Sequence, residues 1–212
     1  LSDTFDDSSY LVMAYIQHGR ARPDSQAIAG RQLAEMHRHQ SEHYGWHRNN
    51  TIGTTPQQND WHSDWISFWR DRRIGFQLTL AAQNRYTGAL QRRGEQLLSR
   101  LGELLNHQPI ASLLHGDLWG GNMAFDAQGQ PIIFDPAVYY GDRETDLAMT
   151  ELFGGFSADF YDAYREAWPL PEEYRVRRKL YNLYHVLNHL NLFGGSYAGQ
   201  AQDMIERLLA EC

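Results

Sequence analysis

The chain has 212 residues, 42% of them apolar and 21% charged, enough to bury the core of an ordinary globular protein. Its 19 Lys and Arg against 26 Asp and Glu give a net charge of −7, and the basic residues are scattered, so there is no footprint for a nucleic-acid backbone. The acidic balance does not exclude ATP, whose phosphates need only a local cradle and metal ions.

The single cysteine, Cys212, cannot form an internal disulfide and suits a reducing compartment, which reads as cytoplasmic. The start, Leu1-Ser2-Asp3-Thr4, has neither the basic region nor the apolar core of a signal peptide. It also lacks an initiator Met, as expected of a chain cut from something longer. No run approaches the ~18 apolar residues of a membrane-spanning helix, so no membrane partner is expected.

In chain order, Tyr10 to Ile16 is short, apolar and β-prone ahead of Gly19, and reads as a buried strand without a partner strand nearby. From Asp24, a candidate N-cap, a helix runs to His39, with Ile28, Leu33 and Met36 near helical spacing. His47 to Asn59 is polar and rich in turn formers, hence a long loop of the kind that is often functional. Trp61, Trp65, Phe68 and Trp69 fall on one helical face and read as core. A second amphipathic helix from Gly88 to Asn106 places Leu90, Leu97, Leu98, Leu101 and Leu105 for burial. Between residues 111 and 135 the period changes to short apolar runs, Leu113-Leu114, Met123 to Phe125 and Ile132 to Phe134, that read as small strands supporting loops. Helical patterns then cover 145–153, 157–167, 172–192 and 198–210.

The chemistry is concentrated in Leu114-His-Gly-Asp-Leu-Trp-Gly-Gly-Asn122 and Ile132-Ile-Phe-Asp-Pro-Ala137. Phosphoryl transfer needs an oriented hydroxyl and magnesium held on phosphate oxygens. Kinase-fold enzymes supply these with an Asp, an Asn five residues later and a second Asp after a nearby strand. Asp117, Asn122 and Asp135 have that order. A carboxylate at Asp117 can accept a hydroxyl proton and aim its oxygen, while Asn122 and Asp135 offer the hard oxygens magnesium prefers. Taken singly, His-Gly-Asp and Asp-Pro are common turn sequences; together and in order, they point to a phosphotransferase. Gly116 stands where protein kinases carry an Arg, so activation-loop phosphorylation read by that Arg is not expected. His115 reads as support for the loop rather than as an acid or base. Asp146 is either the N-cap of the next helix or a carboxylate that ties the catalytic loop down through backbone N–H groups.

At these residues the sequence resembles the fructosamine (ketosamine) 3-kinase family. The resemblance rests on His115 to Asn122, Phe134 to Met149, Glu151 to Phe156, Leu187 to Gly195, and Asn50 to Gly53 with Pro56 and Gln57. It implies an α+β, mainly helical fold, the large C-terminal lobe of a protein-kinase-like architecture. In that architecture residues 1–19 would be the last strand of the small lobe and the hinge, and residues 20–212 the helical catalytic lobe.

It also implies ATP and Mg²⁺ as cofactors and phosphorylation of the sugar 3-hydroxyl of a small-molecule or protein-bound ketosamine, whose unstable product releases the amine. In this reading Asp117 is catalytic, Asn122 and Asp135 hold metal, and Trp119 either lies against the sugar or packs beneath the loop. Met13, Ala14, Ile16 and Phe134 face the nucleotide, and His115 and Asp146 support the loop.

The departure from the family is one of absence. The glycine-containing nucleotide loop, its Lys and that residue's Glu partner should precede Tyr10, where only nine residues stand. Slow or no turnover by these residues alone is therefore expected, as is self-association through a solitary strand at 10–16. An aminoglycoside- or choline-kinase-like phosphotransferase and a non-catalytic remnant are the alternatives.

Overall fold

The computed structural model describes residues 2–5 and 8–212, with the side chains of residues 2–5 and 9–11 outside the description. The chain is α+β and mainly helical, with short strands between the helices. The larger core forms around α4 (Ala89–Leu104), α7 (Tyr174–Phe193) and α8 (Tyr197–Glu211). Helix α4 buries Leu90, Leu97, Leu101 and Leu104 at helical spacing and turns its charged residues outward. Helix α7 buries Leu180, Tyr181, Leu183, Tyr184, Val186 and Leu187 in close succession, the pattern of a helix surrounded by protein. Trp65, Phe68 and Trp69 complete this core.

A second core lies between α1 (Ser25–His37) and α6 (Ala158–Ala167), where Ala29, Leu33 and Ala34 meet Phe160 and Tyr164. A Cβ built on Gly30 would sit 2.2 Å from the carbonyl oxygen of Phe160, so only glycine permits this approach of the two helices. Leu147 of α5 (Glu144–Phe153) and Leu118 belong to the same core.

The strands are scaffolding for loops. β3 (Gln40–Ser41), β6 (Ala111–Leu114) and β9 (Tyr139–Gly141) form an antiparallel sheet with β6 in the centre. β7 (Met123–Phe125) and β8 (Pro131–Ile133) form a hairpin, with Met123 opposite Ile133. The long polar loop expected at 47–59 contains a hairpin of its own, β4 (Asn50–Ile52) with β5 (Thr55–Gln57). Its Asn50 and Gln57 side chains donate to the carbonyls of Val138 and Ala137.

Four expectations are corrected. The strand at 10–16 is not solitary and does not reach Ile16. β2 (Ser8–Leu11) pairs antiparallel with β1 (Ser2–Phe5), and the chain leaves the strand after Leu11, with Met13, Tyr15 and Ile16 exposed. The side chains of Tyr10 and Leu11 lie outside the described residues. Self-association through an unpartnered strand thus loses its premise on that edge. Trp61 is not on the helical face of Trp65, because α2 (Trp65–Phe68) starts only after Asp64, whose carboxylate accepts the Ser67 N–H at 2.7 Å.

Asp24 occupies the N-cap position of α1, but its side chain makes no capping hydrogen bond. Instead the Ser25 hydroxyl accepts the Arg22 N–H and donates to the Gly129 carbonyl. Finally, Trp69–Ile74 is a π-helical turn leading into α3 (Gly75–Gln83), a helix hidden in the sequence by Arg70 to Arg73. Arg73 in that run is buried, its guanidinium 4.1 Å from the ring centroid of Tyr139 and bonded to the Gln58 carbonyl and the Asn59 side chain.

Gly30→Ala is expected to lower stability by about 1–3 kcal/mol, because α1 and α6 must part to admit the methyl group. Urea unfolding should show a lower midpoint with an unchanged slope.

Candidate active site

Strand β6 delivers His115, Gly116 and Asp117 off its C-terminal end. Gly116 has φ +81°, and a Cβ there would fall 2.1 Å from the Ala137 carbonyl oxygen. Backbone proximity alone therefore excludes a side chain where protein kinases carry Arg.

The loop is held from below by Asp146, in the first turn of α5 and almost completely buried. Its carboxylate accepts the N–H of His115 at 2.8 Å and of Gly116 at 2.9 Å, and lies 3.2 Å from Nε2 of His37. Burial pushes this acid up, but the hydrogen bonds from His37 and from the backbone of Gly116 outweigh it and hold its pKa below the ordinary value. Nε2 of His115 donates to the Phe134 carbonyl at 2.9 Å, which leaves Nδ1 to accept the Asp117 N–H at 3.3 Å. Burial lowers the pKa of this histidine, consistent with a neutral ring.

Leu118 is sunk in the second core, so Asp117 is presented on the opposite side. Asn122 ends the 3₁₀ turn Gly120–Asn122. Its Nδ2 donates to the Asp117 carbonyl at 2.9 Å and reaches Asp117 Oδ2 at 3.4 Å. A carbonyl can only accept, so the amide nitrogen faces Asp117 and Oδ1 remains for another partner.

Asp135 follows β8 with φ +57°, one of two described non-glycine residues in the left-handed region. Such a conformation costs roughly 1–3 kcal/mol and clusters at functional sites. Asp117, Asn122 and Asp135 line a single cleft of about 610 Å³. Burial, followed by the charges of Asp135 and Asp146, pushes Asp117 up to about 6 against the Asn122 hydrogen bond. Convergent carboxylates, with an amide oxygen beside them, suit a hard cation such as Mg²⁺.

A second acidic group, His107, Asp142 and Glu144, brings possible ligand atoms within 4.8 Å of one another. Those atoms are already engaged. Asp142 accepts from Tyr181, His107 and the Glu144 N–H, while both Glu144 oxygens accept from Arg177 at 2.7 and 2.8 Å. It is a buried polar knot between β9, α5 and α7.

Of the residues singled out in the sequence, Asp117, Trp119, Asn122 and Asp135 share the cleft, with His115 and Asp146 behind the loop. Met13, Ala14 and Ile16 lie in the exposed chain ahead of His18, which bridges to Asp126 beyond β7. Neither they nor Phe134 line the cleft. Sequence reasoning did not single out His185, Asn188 and His189 of α7, or Phe153 and Phe193 at the ends of α5 and α7, all of which do. The available signal was polar side chains, Asn182, His185 and Asn188, recurring along the apolar run from Leu180 to Leu190 of a buried helix.

A sequence profile described as fructosamine kinase matches residues 2–211. The chain is 47% identical over 203 residues to a probable ketoamine kinase of Synechocystis sp., covering 95% of this chain and 68% of that protein. It is 44% identical over 204 residues to the chloroplastic protein-ribulosamine 3-kinase of Arabidopsis thaliana, covering 95% of this chain and 62% of that one. A crystal structure from Thermobifida fusca, titled a putative fructosamine-3-kinase, superposes with a TM-score of 0.89 at 33% identity, covering all of this chain and 73% of that one. The chain thus spans about two thirds of the length of these curated relatives.

Asp146→Asn is expected to cost about 1–3 kcal/mol at neutral pH, since the amide leaves a buried loop N–H without an acceptor. Because the folded pKa of Asp146 is depressed, its contribution is complete above about pH 4 and disappears as pH falls through the lowered value. Urea unfolding across pH should therefore show a flatter acid limb in the variant.

Proposed function

The chain belongs to the fructosamine kinase family, and on that premise we propose that it carries the catalytic loop and acceptor site of an ATP-dependent ketosamine 3-kinase. The observation that carries the reading is the convergence of Asp117, Asn122 and Asp135 on one cleft that Trp119 also lines. In this reading the chain is the large lobe of a protein-kinase-like fold. Residues 1–19 are the lead-in from the nucleotide side, and Met13, Ala14, Ile16 and Phe134 belong to the adenine surface.

Asp117 accepts the proton of the sugar 3-hydroxyl and aims that oxygen at the phosphorus. Positioning matters more than basicity here, because the transition state is loose. Magnesium, when bound, neutralises charge on the phosphate oxygens, and Asn122 Oδ1 and the Asp135 carboxylate are the groups that would hold it. His115 and Asp146 keep Asp117 in place through its backbone. Trp119, 41% exposed, offers an apolar face to the sugar ring. The 3-phosphate then eliminates and frees the amine, which makes the activity one of deglycation. No helix among the described residues is long and apolar enough to cross a membrane. Cys212, a free thiol, fits a cytoplasmic setting.

Asp117→Asn is expected to reduce kcat about 10²–10⁴-fold with little change in unfolding temperature. ADP-release assays with a ribulosamine, a fructosamine and an aminoglycoside check both the residue and the acceptor. Unchanged turnover in the variant, or preference for the aminoglycoside, contradicts the reading.

A further inference from the structure

The cleft has a second wall that the phosphoryl-transfer step does not use. Phe153, His189 and Phe193 form it, and Trp119 adjoins. Their rings meet at steep angles. The Trp119 and Phe153 centroids are 6.4 Å apart at 75°, Phe153 and His189 5.0 Å at 52°, and His189 and Phe193 5.4 Å at 42°. Rings tilted in this way make a corner rather than a closed stack. Phe153 is 41% exposed and Phe193 68%, unusual for side chains that normally bury.

Three independent features make this corner attractive to a cation. First, Phe153 and Phe193 are the last residues of α5 and α7, so the negative ends of two helix dipoles meet at the same wall. Second, among the described residues the cleft lining includes Asp117 and Asp135 but no Lys or Arg. Third, the imidazoles on this side are not competing cations. Burial lowers the pKa of His189 and, with the neighbouring His189, takes His185 to about 3. Nδ1 of His189 is also out of solvent and has no hydrogen-bond partner.

We propose that this corner is an ammonium subsite, in which the faces of Phe153, His189 and Phe193 receive the protonated secondary amine of the ketosamine while the 3-hydroxyl lies at Asp117. The inference rests on the ketosamine-kinase reading and adds to it the part of the substrate that determines specificity. The amine is carried on the carbon next to the sugar carbonyl, two carbons from the 3-hydroxyl, so one small cleft can engage both. Aromatic faces around a desolvated alkylammonium attract it through their quadrupoles, an attraction that a neutral group of the same shape does not receive. The exposure of Phe193 leaves room for the amine's substituent to extend into solvent, as the side chain of a glycated lysine would require.

The test compares an N-alkyl ketosamine with the isosteric ether in which oxygen replaces the amine nitrogen. Binding to the wild-type chain is measured by calorimetry, and both compounds are also offered as phosphoryl acceptors. The amine is expected to bind about 5- to 30-fold more tightly than the ether, the range given by cation–π attraction at partly desolvated sites. Phe153→Leu and Phe193→Leu, which keep apolar volume but remove the ring, should each bring that ratio toward one. Equal binding of amine and ether by the wild-type protein, or a ratio unmoved by both leucine variants, overturns the subsite. Phosphorylation of both compounds at equal rates would sink the subsite alone, whereas binding of neither compound would remove the ketosamine reading and the subsite with it.

Discussion

The arrangement depends on one buried carboxylate. Asp146 sits in the first turn of α5 and takes two consecutive backbone N–H groups of the catalytic loop, from His115 and Gly116, in a place almost without solvent. A buried acid is costly unless its oxygens are occupied, and here the loop itself occupies them. The loop's shape and the charge of Asp146 therefore stabilise each other. Removing either leaves a buried group unpaired, which makes the loop conformation a condition of folding as well as of chemistry.

From that clamp the rest of the site follows by short range. Gly116 passes so close to Ala137 that no side chain fits, and Leu118 drops into the core shared by α1, α5 and α6. Asp117, between them, has one direction left. Asn122 closes back on the Asp117 carbonyl, and the β7–β8 hairpin carries the chain round to Asp135 in a left-handed conformation. The two hydrophobic cores thus act on the site as well as on stability. One fixes the loop from behind, and the other sets α7, whose polar residues form the far wall of the cleft.

The cleft's electrostatics have a consistent sense. Acidic side chains converge, two helices end at the rim, and the nearby histidines are neutral. Such a field favours positive charge, both a hard metal ion beside Asn122 and Asp135 and an organic cation among the aromatic rings. The knot of His107, Asp142, Glu144 and Arg177 shows the contrasting case, in which the carboxylate oxygens are taken by neighbouring donors.

Much of this was determined by sequence alone, because it depends on local pattern. The helices expected at 145–153, 157–167, 172–192 and 198–210 form within about two residues of those limits, since each has its own apolar stripe and its own breakers. The order of Asp117, Asn122 and Asp135 is equally a property of the chain, and so are the motifs that resemble the fructosamine kinase family. Tertiary structure decided what depends on residues distant in the chain. Arg73, charged and flanked by other charges, could be placed inside only by Phe68, Tyr139 and Asn59 closing around it. Trp61 was put outside by a cap at Asp64, and the strand at 8–11 acquired a partner in residues 2–5. Phe153 met Trp119 on one side and His189, itself beside Phe193, on the other only because α5 and α7 end at the same place in space. Periodicity reports which face of an element is buried, but not which other element it will face.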